Sequence, residues 1–383
     1  MEIVMFKKLI SLLLALTLAL PVTAFAAKMP SLELNAPSAV LVEVETGKTL
    51  FAKNPHEKRA CASVTKVMTL LLVMEAIDGG RLRYTDTLTT SAHAASMGGS
   101  DIWLEEGEKM TVDDLLKATA VASANDAAVV LAEAVSGSEG AFVAAMNKRA
   151  RALKMRDTTF KNCNGLDEKG HLTSAYDVAL MTRELIKHKK IFKYTSIWLD
   201  NLRGGKTQIV NTNKLLRTYD GITGLKTGTT DDAGCCMSAT AERDGLTLAA
   251  VVLGCNTGTE RFADSAALLD YGFTNFTVEK LELPKEALGK LNVSGGMTSQ
   301  TRLSCENPGT VVVSRMGDSK LNRECIIKKD VHAPVKKGDK MGEVNYYSGK
   351  RLLKSCDITA TDSVEKLTFS SVASAMLKAL GKL

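Results

Sequence analysis

Hydrophobic and polar positions alternate in several short stretches of this 383-residue chain, which is the pattern of β-strands with one buried face. Polar turn signals separate two pairs of these stretches: Glu-Thr-Gly-Lys at residues 45–48 and Arg-Asp-Gly at residues 243–245. We therefore expect two β-hairpins. Their strands are residues 40–44, 49–53, 235–242 and 247–254.

Apolar residues at helical spacing form a second pattern, which predicts the helices. Residues 62–78 are apolar nearly all round and end at Gly79 and Gly80, so this helix should be buried in the middle of its domain. The other predicted helices are residues 111–121, which begin on a Thr cap, 126–135, 141–153, 174–188 and 263–269. Together these elements indicate an α/β (α+β) domain over residues 27–276, with an antiparallel sheet and a helical insertion.

The character of the sequence changes beyond Phe273, where the helical patterns disappear. Runs of β-branched residues, such as 310–314 and 324–327, alternate with glycine turns, so residues 277–364 are predicted to form a small all-β domain. Residues 365–383 have the spacing of a short amphipathic helix. Such a helix either docks on its own protein or makes a peripheral contact with a membrane, and the sequence leaves both open.

The first 26 residues have the composition of a secretory signal peptide. Lys7 and Lys8 precede an apolar run at residues 9–20, and Ala24 and Ala26 supply the small residues of a cleavage site. An uncleaved N-terminal anchor is the alternative, although the apolar run is short for a membrane span. In both cases the protein is expected to be exported to the extracytoplasmic cell envelope.

The composition argues against several classes of function. Aromatic residues make up only 5% of the chain and no basic helix carries them, so nucleic acid is not an expected partner. The five histidines form no pair at metal-binding spacing, and neither a metal nor an organic cofactor is expected. The eight cysteines are scattered and most should be buried thiols, although a disulfide between Cys305 and Cys325 stays open.

Ser63 and Lys66 stand at the start of the apolar helix, in the sequence Ser-Val-Thr-Lys. Residues three apart share one face of a helix, so the hydroxyl and the amine can lie within hydrogen-bond distance. Burial disfavours the charged form of a lysine and lowers its pKa. Because a neutral lysine can accept the proton of a serine hydroxyl, the two residues are a candidate nucleophile and base.

Two further triplets are ordinary when each is taken alone. Ser123-Ala-Asn125 falls between two predicted helices, where it could simply be a cap, and Lys226-Thr-Gly228 could be a lysine before a turn. In this order, however, the three motifs resemble those of the serine-type D-alanyl-D-alanine carboxypeptidases, the low-molecular-mass penicillin-binding proteins. Further segments that look like this family are residues 142–150, 160–166, 171–179, 261–273 and 333–338.

The resemblance covers nearly the whole mature chain and implies a β-lactamase/penicillin-binding transpeptidase-like fold. It implies that Ser63 is the acylated nucleophile, that Lys66 accepts its proton, that Ser123 relays protons, and that Asn125 holds Lys66 or the substrate amide. The implied substrate is a peptidoglycan pentapeptide stem that ends in D-Ala-D-Ala. The serine attacks the carbonyl of the penultimate D-Ala, the terminal D-Ala leaves, and water hydrolyses the acyl-enzyme.

The same resemblance implies a set of substrate-binding residues. Lys226, Thr227 and Arg261 would bind the terminal carboxylate of the substrate. Gly228 would let the substrate lie flat against an edge strand, because a side chain there would block its approach. The backbone N–H groups of the nucleophile and of Thr229 would form the oxyanion hole. β-Lactam antibiotics would be covalent inhibitors.

Two positions depart from the pattern of the family. Cys61 stands where the family usually has proline, and Thr229 stands where an aromatic residue or histidine is common. The alternatives that stay open are a β-lactamase, a D,D-endopeptidase of the same fold, and an envelope-binding protein without catalysis. A β-lactamase of class A would carry an additional glutamate motif, which we do not find after Asn125.

Overall fold

The structure is a computed structural model and describes residues 32–316 and 321–380. The predicted signal peptide, residues 1–26, lies outside the described residues. The strands are β1 (Ser38–Glu43), β2 (Thr49–Lys53), β3 (Thr87–Thr89), β4 (Lys109–Thr111), β5 (Leu199–Leu202), β6 (Thr207–Val210), β7 (Ile222–Thr230), β8 (Gly234–Arg243), β9 (Leu246–Cys255), β10 (Phe276–Lys280), β11 (Lys290–Ser294), β12 (Gln300–Cys305), β13 (Thr310–Ser314), β14 (Leu321–Ile327), β15 (Val331–His332), β16 (Lys340–Ser348) and β17 (Arg351–Ala360).

The α-helices of the described residues are connected by a few short 3₁₀ turns, one of which, Ala62–Thr65, directly precedes the first helix. The helices are α1 (Lys66–Asp78), α2 (Ala92–Ala95), α3 (Val112–Val121), α4 (Asn125–Ser136), α5 (Glu139–Ala152), α6 (Ala175–Leu185), α7 (Phe192–Thr195), α8 (Gly258–Asn275) and α9 (Phe369–Leu380).

An antiparallel sheet with the strand order β2-β1-β9-β8-β7 forms the centre of the first domain. Both predicted hairpins are confirmed: β1 pairs with β2, and β8 pairs with β9. The alternating pattern suggested one buried face, but β1 is buried along its whole length. Val40 and Val42 pack on one side, whereas Ala39 and Leu41 pack on the other, because helices cover both faces of the sheet.

Helix α1 lies in the middle of the larger hydrophobic core, as its uniformly apolar sequence predicts. It begins at Lys66, four residues later than expected, because Ala62 has a left-handed φ of 49° that no α-helix accommodates. Helix α8 covers the opposite face of the sheet and is longer than predicted. Its start is fixed by a capping box between Thr257 and Glu260.

The second domain is all-β, as predicted, with the sheet order β14-β16-β17-β12-β11-β15 and its own hydrophobic core. The ribbon β10–β13 joins the two domains: Val312 packs into a core of the first domain, whereas Val311 and Val313 pack into the core of the second. Lys48 adds a hydrogen bond of 3.0 Å from its Nζ to the carbonyl of Val312.

Helix α9 follows the second domain and exposes a row of apolar side chains to solvent, with Phe369 93% exposed. No single helix in the described part of the chain is long and apolar enough to cross a bilayer. Helices α4 and α5 reach that length and apolar composition only when they are taken together, and an 80° bend separates them. All eight cysteines are among the described residues and are free, so the suggested disulfide between Cys305 and Cys325 does not form.

Candidate active site

Ser63 lies in the 3₁₀ turn at the entrance of α1, where its side chain is partly exposed. The left-handed backbone of Ala62 precedes it, a conformation that costs about 1–2 kcal/mol for a residue other than glycine. A turn with this geometry is stable only where the surrounding structure holds it. Two glycines, one on each side, provide that support.

Gly165 has a φ of 87°, and a Cβ atom at this position would lie 2.0 Å from the carbonyl oxygen of Ala62. Gly228 approaches from β7, where a Cβ atom would lie 2.6 Å from the carbonyl oxygen of Cys61 and 2.8 Å from the backbone nitrogen of Ser63. The turn is therefore clasped between two backbone segments. The sequence predicts that Gly228 lets the substrate approach, and the structure adds that the side of Gly228 where a Cβ would stand faces the turn that carries Ser63.

The Nζ atom of Lys66 donates hydrogen bonds to Ser63 Oγ at 2.9 Å, Asn125 Oδ1 at 2.5 Å and the carbonyl oxygen of Asn164 at 2.7 Å. Its side chain has no exposed surface, and burial lowers the pKa of Lys66 to about 7. The amine is therefore partly neutral near neutral pH. It is poised to accept a proton from the hydroxyl group beside it.

The Asn125 amide is oriented by a loop that precedes it in the sequence. Its Nδ2 donates to the carbonyl of Gly98 at 2.7 Å, which leaves Oδ1 to face Lys66. The backbone N–H of Asn125 also donates to the carbonyl of Ser100, at 2.7 Å. These bonds join the second motif to the first and bring α4 against the start of α1.

Ser123 immediately precedes this segment and has a left-handed φ of 64°. Its side chain is only 4% exposed, and within the described part of the chain its hydroxyl makes no hydrogen bond. A strained residue with an unused hydroxyl beside a catalytic motif is a candidate for proton transfer to a bound substrate.

Lys226 and Thr227 of the third motif lie on β7, the edge strand of the central sheet. Lys226 is buried, and its pKa is lowered well below the usual value, mainly by burial and further by the positive charges of Lys66 and Arg261. The hydroxyl of Thr227 donates to Thr212 Oγ1 at 2.6 Å. Among the described residues these buried basic groups form no ion pair with a carboxylate, so together they are complementary to an incoming anion.

Arg261 lies in the first turns of α8 and reaches β7 from the far face of the sheet. Its Nη1 donates to the carbonyl of Gly228 and to Thr229 Oγ1, both at 3.0 Å. Its Nε–H is buried and has no acceptor among the described residues. Burial also lowers the pKa of the guanidinium. Arg261 thus braces the strand and retains an unused donor.

Several residues that hold the site were missed at the sequence level. Asn164 and Gly98 act through their backbone carbonyls, which leave no trace in a side-chain pattern. Thr65 Oγ1 is hydrogen-bonded to His171 Nε2 at 2.8 Å and lies 3.4 Å from Cys61 Sγ. These three buried polar side chains support the turn that carries Ser63. Burial lowers the pKa of His171 to about 4 and keeps its ring neutral.

Comparisons with known proteins show the family and the fold. Residues 23–257 match the family model described as D-alanyl-D-alanine carboxypeptidase, and residues 276–366 match that of the penicillin-binding protein 5 C-terminal domain. The chain is 41% identical to the D-alanyl-D-alanine carboxypeptidase DacF of Bacillus subtilis (strain 168), over 88% of this chain and 87% of the relative.

Two solved structures are also similar. Penicillin-binding protein 5 from Haemophilus influenzae superposes with a TM-score of 0.78 and 28% identity, over 88% of this chain and 99% of that chain. Penicillin-binding protein D2 from Listeria monocytogenes, in its ampicillin-bound form, superposes with a TM-score of 0.59 and 33% identity, over 64% of this chain and 100% of that chain.

Proposed function

The chain belongs to the D-alanyl-D-alanine carboxypeptidase family and is a serine hydrolase of that class, and we propose that its acyl-enzyme forms on Ser63. One observation carries this assignment. The Nζ atom of the fully buried Lys66 lies 2.9 Å from Ser63 Oγ, with its pKa lowered to about 7. No other base is needed to activate the hydroxyl.

In the proposed first step, Lys66 takes the hydroxyl proton of Ser63, and Ser63 Oγ bonds to the carbonyl carbon of the penultimate D-Ala. The backbone N–H groups of Ser63 and Thr229 stabilise the oxyanion, a contribution of about 3–4 kcal/mol for a donor of this kind. Ser123 passes the proton from Lys66 to the nitrogen of the departing D-Ala. Water then hydrolyses the ester and restores the hydroxyl.

We place the terminal carboxylate of the substrate at Lys226, Thr227 and Arg261. The basic side chains of Lys226 and Arg261, which lie together at β7, support the assignment. Since an anion raises the pKa of a nearby amine, binding of the carboxylate should favour the charged form of Lys226. Asn125 keeps Lys66 aimed at the nucleophile throughout.

The carboxylate assignment predicts that Lys226→Ala and Arg261→Ala each lower kcat/KM about 30-fold for a substrate with a free terminal carboxylate, since a buried charge loses its partner. For each variant the C-terminal amide of the same peptide should lose less than the acid, because it brings no charge, although Arg261→Ala also removes the brace on β7. The measurement is D-Ala or D-Ala-amide release by each variant. Arg302→Ala, in the second domain, is the control, and equal losses on acid and amide contradict the assignment.

The substrate we propose is a peptidoglycan stem peptide that ends in D-Ala-D-Ala, and β-lactams should acylate the same serine. The ampicillin-bound relative supports the second statement. We further propose that residues 27–276 form the catalytic domain, that residues 277–364 form a separate β domain, and that the chain is exported. The exposed apolar side of α9 would contact the membrane surface, which sedimentation with phospholipid vesicles tests.

The test of the proposed function uses the purified protein with diacetyl-L-Lys-D-Ala-D-Ala and a fluorescent penicillin. We expect release of D-Ala, and a long-lived penicillin adduct that mass spectrometry locates on the peptide containing Ser63. An adduct that disappears within seconds, without D-Ala release, would instead indicate a β-lactamase. Cleavage of cross-linked stem dimers alone would indicate an endopeptidase, and the absence of any adduct would indicate a protein without catalysis.

A further inference from the structure

Trp103 is the most exposed large hydrophobic residue of the first domain, at 78% exposure, although both of its neighbours in the chain are buried. Its φ is 54°, in the left-handed region that a bulky aromatic residue rarely adopts. A residue in this conformation persists only where its surroundings hold it there, and such residues cluster at functional sites.

The backbone around Trp103 is fixed on both sides. The N–H groups of Ile102 and Leu104 donate to Asp126 Oδ2 at 3.1 and 3.0 Å, and Arg203 Nη1 donates to the carbonyl of Ile102 at 3.0 Å. Asp126 is buried at the start of α4. The indole is therefore presented to solvent by a rigid support, at the expense of an unfavourable backbone conformation.

The loop that carries Trp103 also positions a residue of the candidate active site. The carbonyl oxygens of Gly98 and Ser100 accept the two hydrogen bonds that orient Asn125, which in turn holds Lys66. Trp103 follows Ser100 by three residues, a reach of at most about 10 Å of extended chain. The exposed indole is thus carried by the same loop that orients Asn125 beside Lys66.

We propose that Trp103 is a substrate-binding residue whose indole packs against the long aliphatic side chain of the third stem residue, on the acyl side of the scissile bond. The inference rests on the proposed function and deepens it. The leaving group is a single D-Ala, and its carboxylate is placed at Lys226 on β7. The portion of substrate that is long and apolar enough to cover an indole is the acyl portion.

The experiment compares two substrates with the full-length chain: diacetyl-L-Lys-D-Ala-D-Ala and acetyl-D-Ala-D-Ala, which lacks the long side chain. Trp103→Ala should lower kcat/KM about tenfold on the first, mainly through a higher KM, and less than about twofold on the second. Trp103→Phe should restore most of the loss, because a second aromatic ring can cover the same chain. Phe369→Ala, at an aromatic residue of α9 that is even more exposed than Trp103, serves as the control.

Equal effects on the two substrates, or no effect on either, overturn the inference. A loss seen only with a substrate that carries a disaccharide assigns the indole to the glycan and also overturns it. The proposed function has a separate readout, since Trp103→Ala should still form the penicillin adduct and should turn over the short substrate within about twofold of the wild type. If the wild type releases no D-Ala from either peptide, the proposed function itself fails.

Discussion

Ser63→Ala is expected to abolish both D-Ala release and the penicillin adduct, with turnover lowered at least about 1000-fold. The variant keeps the buried surroundings of Lys66 but has no atom that can form the ester. Only substrate binding and the oxyanion hole can then still accelerate the reaction. D-Ala release and gel fluorescence after penicillin treatment measure the two effects. Their simultaneous loss would show that peptide and antibiotic react with one atom.

The matched control is Ser196→Ala, which removes a hydroxyl from an exposed surface position. It should retain both activities, and the melting temperatures of the two variants should lie within a few degrees of the wild type. A penicillin adduct that persists in folded Ser63→Ala would show that another residue is the nucleophile.

Lys66→Met is expected to lower the rate of acylation about 10²–10⁴-fold, the range typical of a lost general base. Methionine fills a similar volume without an amine, so the contact between the helix and its neighbours is largely kept. In the wild type, acylation should be slow below pH 7, where the amine is protonated. It should rise through the lowered pKa of about 7 and level off above it, because only the neutral amine accepts the proton.

The residual activity of Lys66→Met should show no such rise, since its titrating group has been removed. The control is Lys117→Met, since Lys117 lies on α3 and pairs with Asp200. This variant should keep both the rate and the pH profile of the wild type. An unchanged rise through pH 7 in Lys66→Met would mean that a different group supplies the base.

The sequence predicted most of the fold because the main signals are local. The apolar helix after Ser63 and both hairpins needed only their own residues to be recognised, and the fold class followed. Strand β7 is not among the predicted strands, because Gly-Leu-Lys-Thr-Gly-Thr has little alternation and owes its burial to neighbours distant in sequence. The residues of the three motifs were identified, and their catalytic roles stay predictions.

Contacts between backbone segments could not be predicted from the sequence. The acceptor that Asn164 offers to Lys66 is a carbonyl, and every residue has one. The contact of Gly228 with the turn that carries Ser63 depends on which segment lies opposite, and its predicted role in the approach of the substrate stays a prediction. Trp103 carried no motif, and its significance rests on an exposure and a backbone angle that only the fold determines.

The clasp of Gly165 and Gly228 around the nucleophile turn also limits how this enzyme can change over generations. A side chain at either position would displace main chain on which the reactive serine depends. Sequence variation at these two positions should therefore be restricted to glycine, whatever selection acts on the rest of the site.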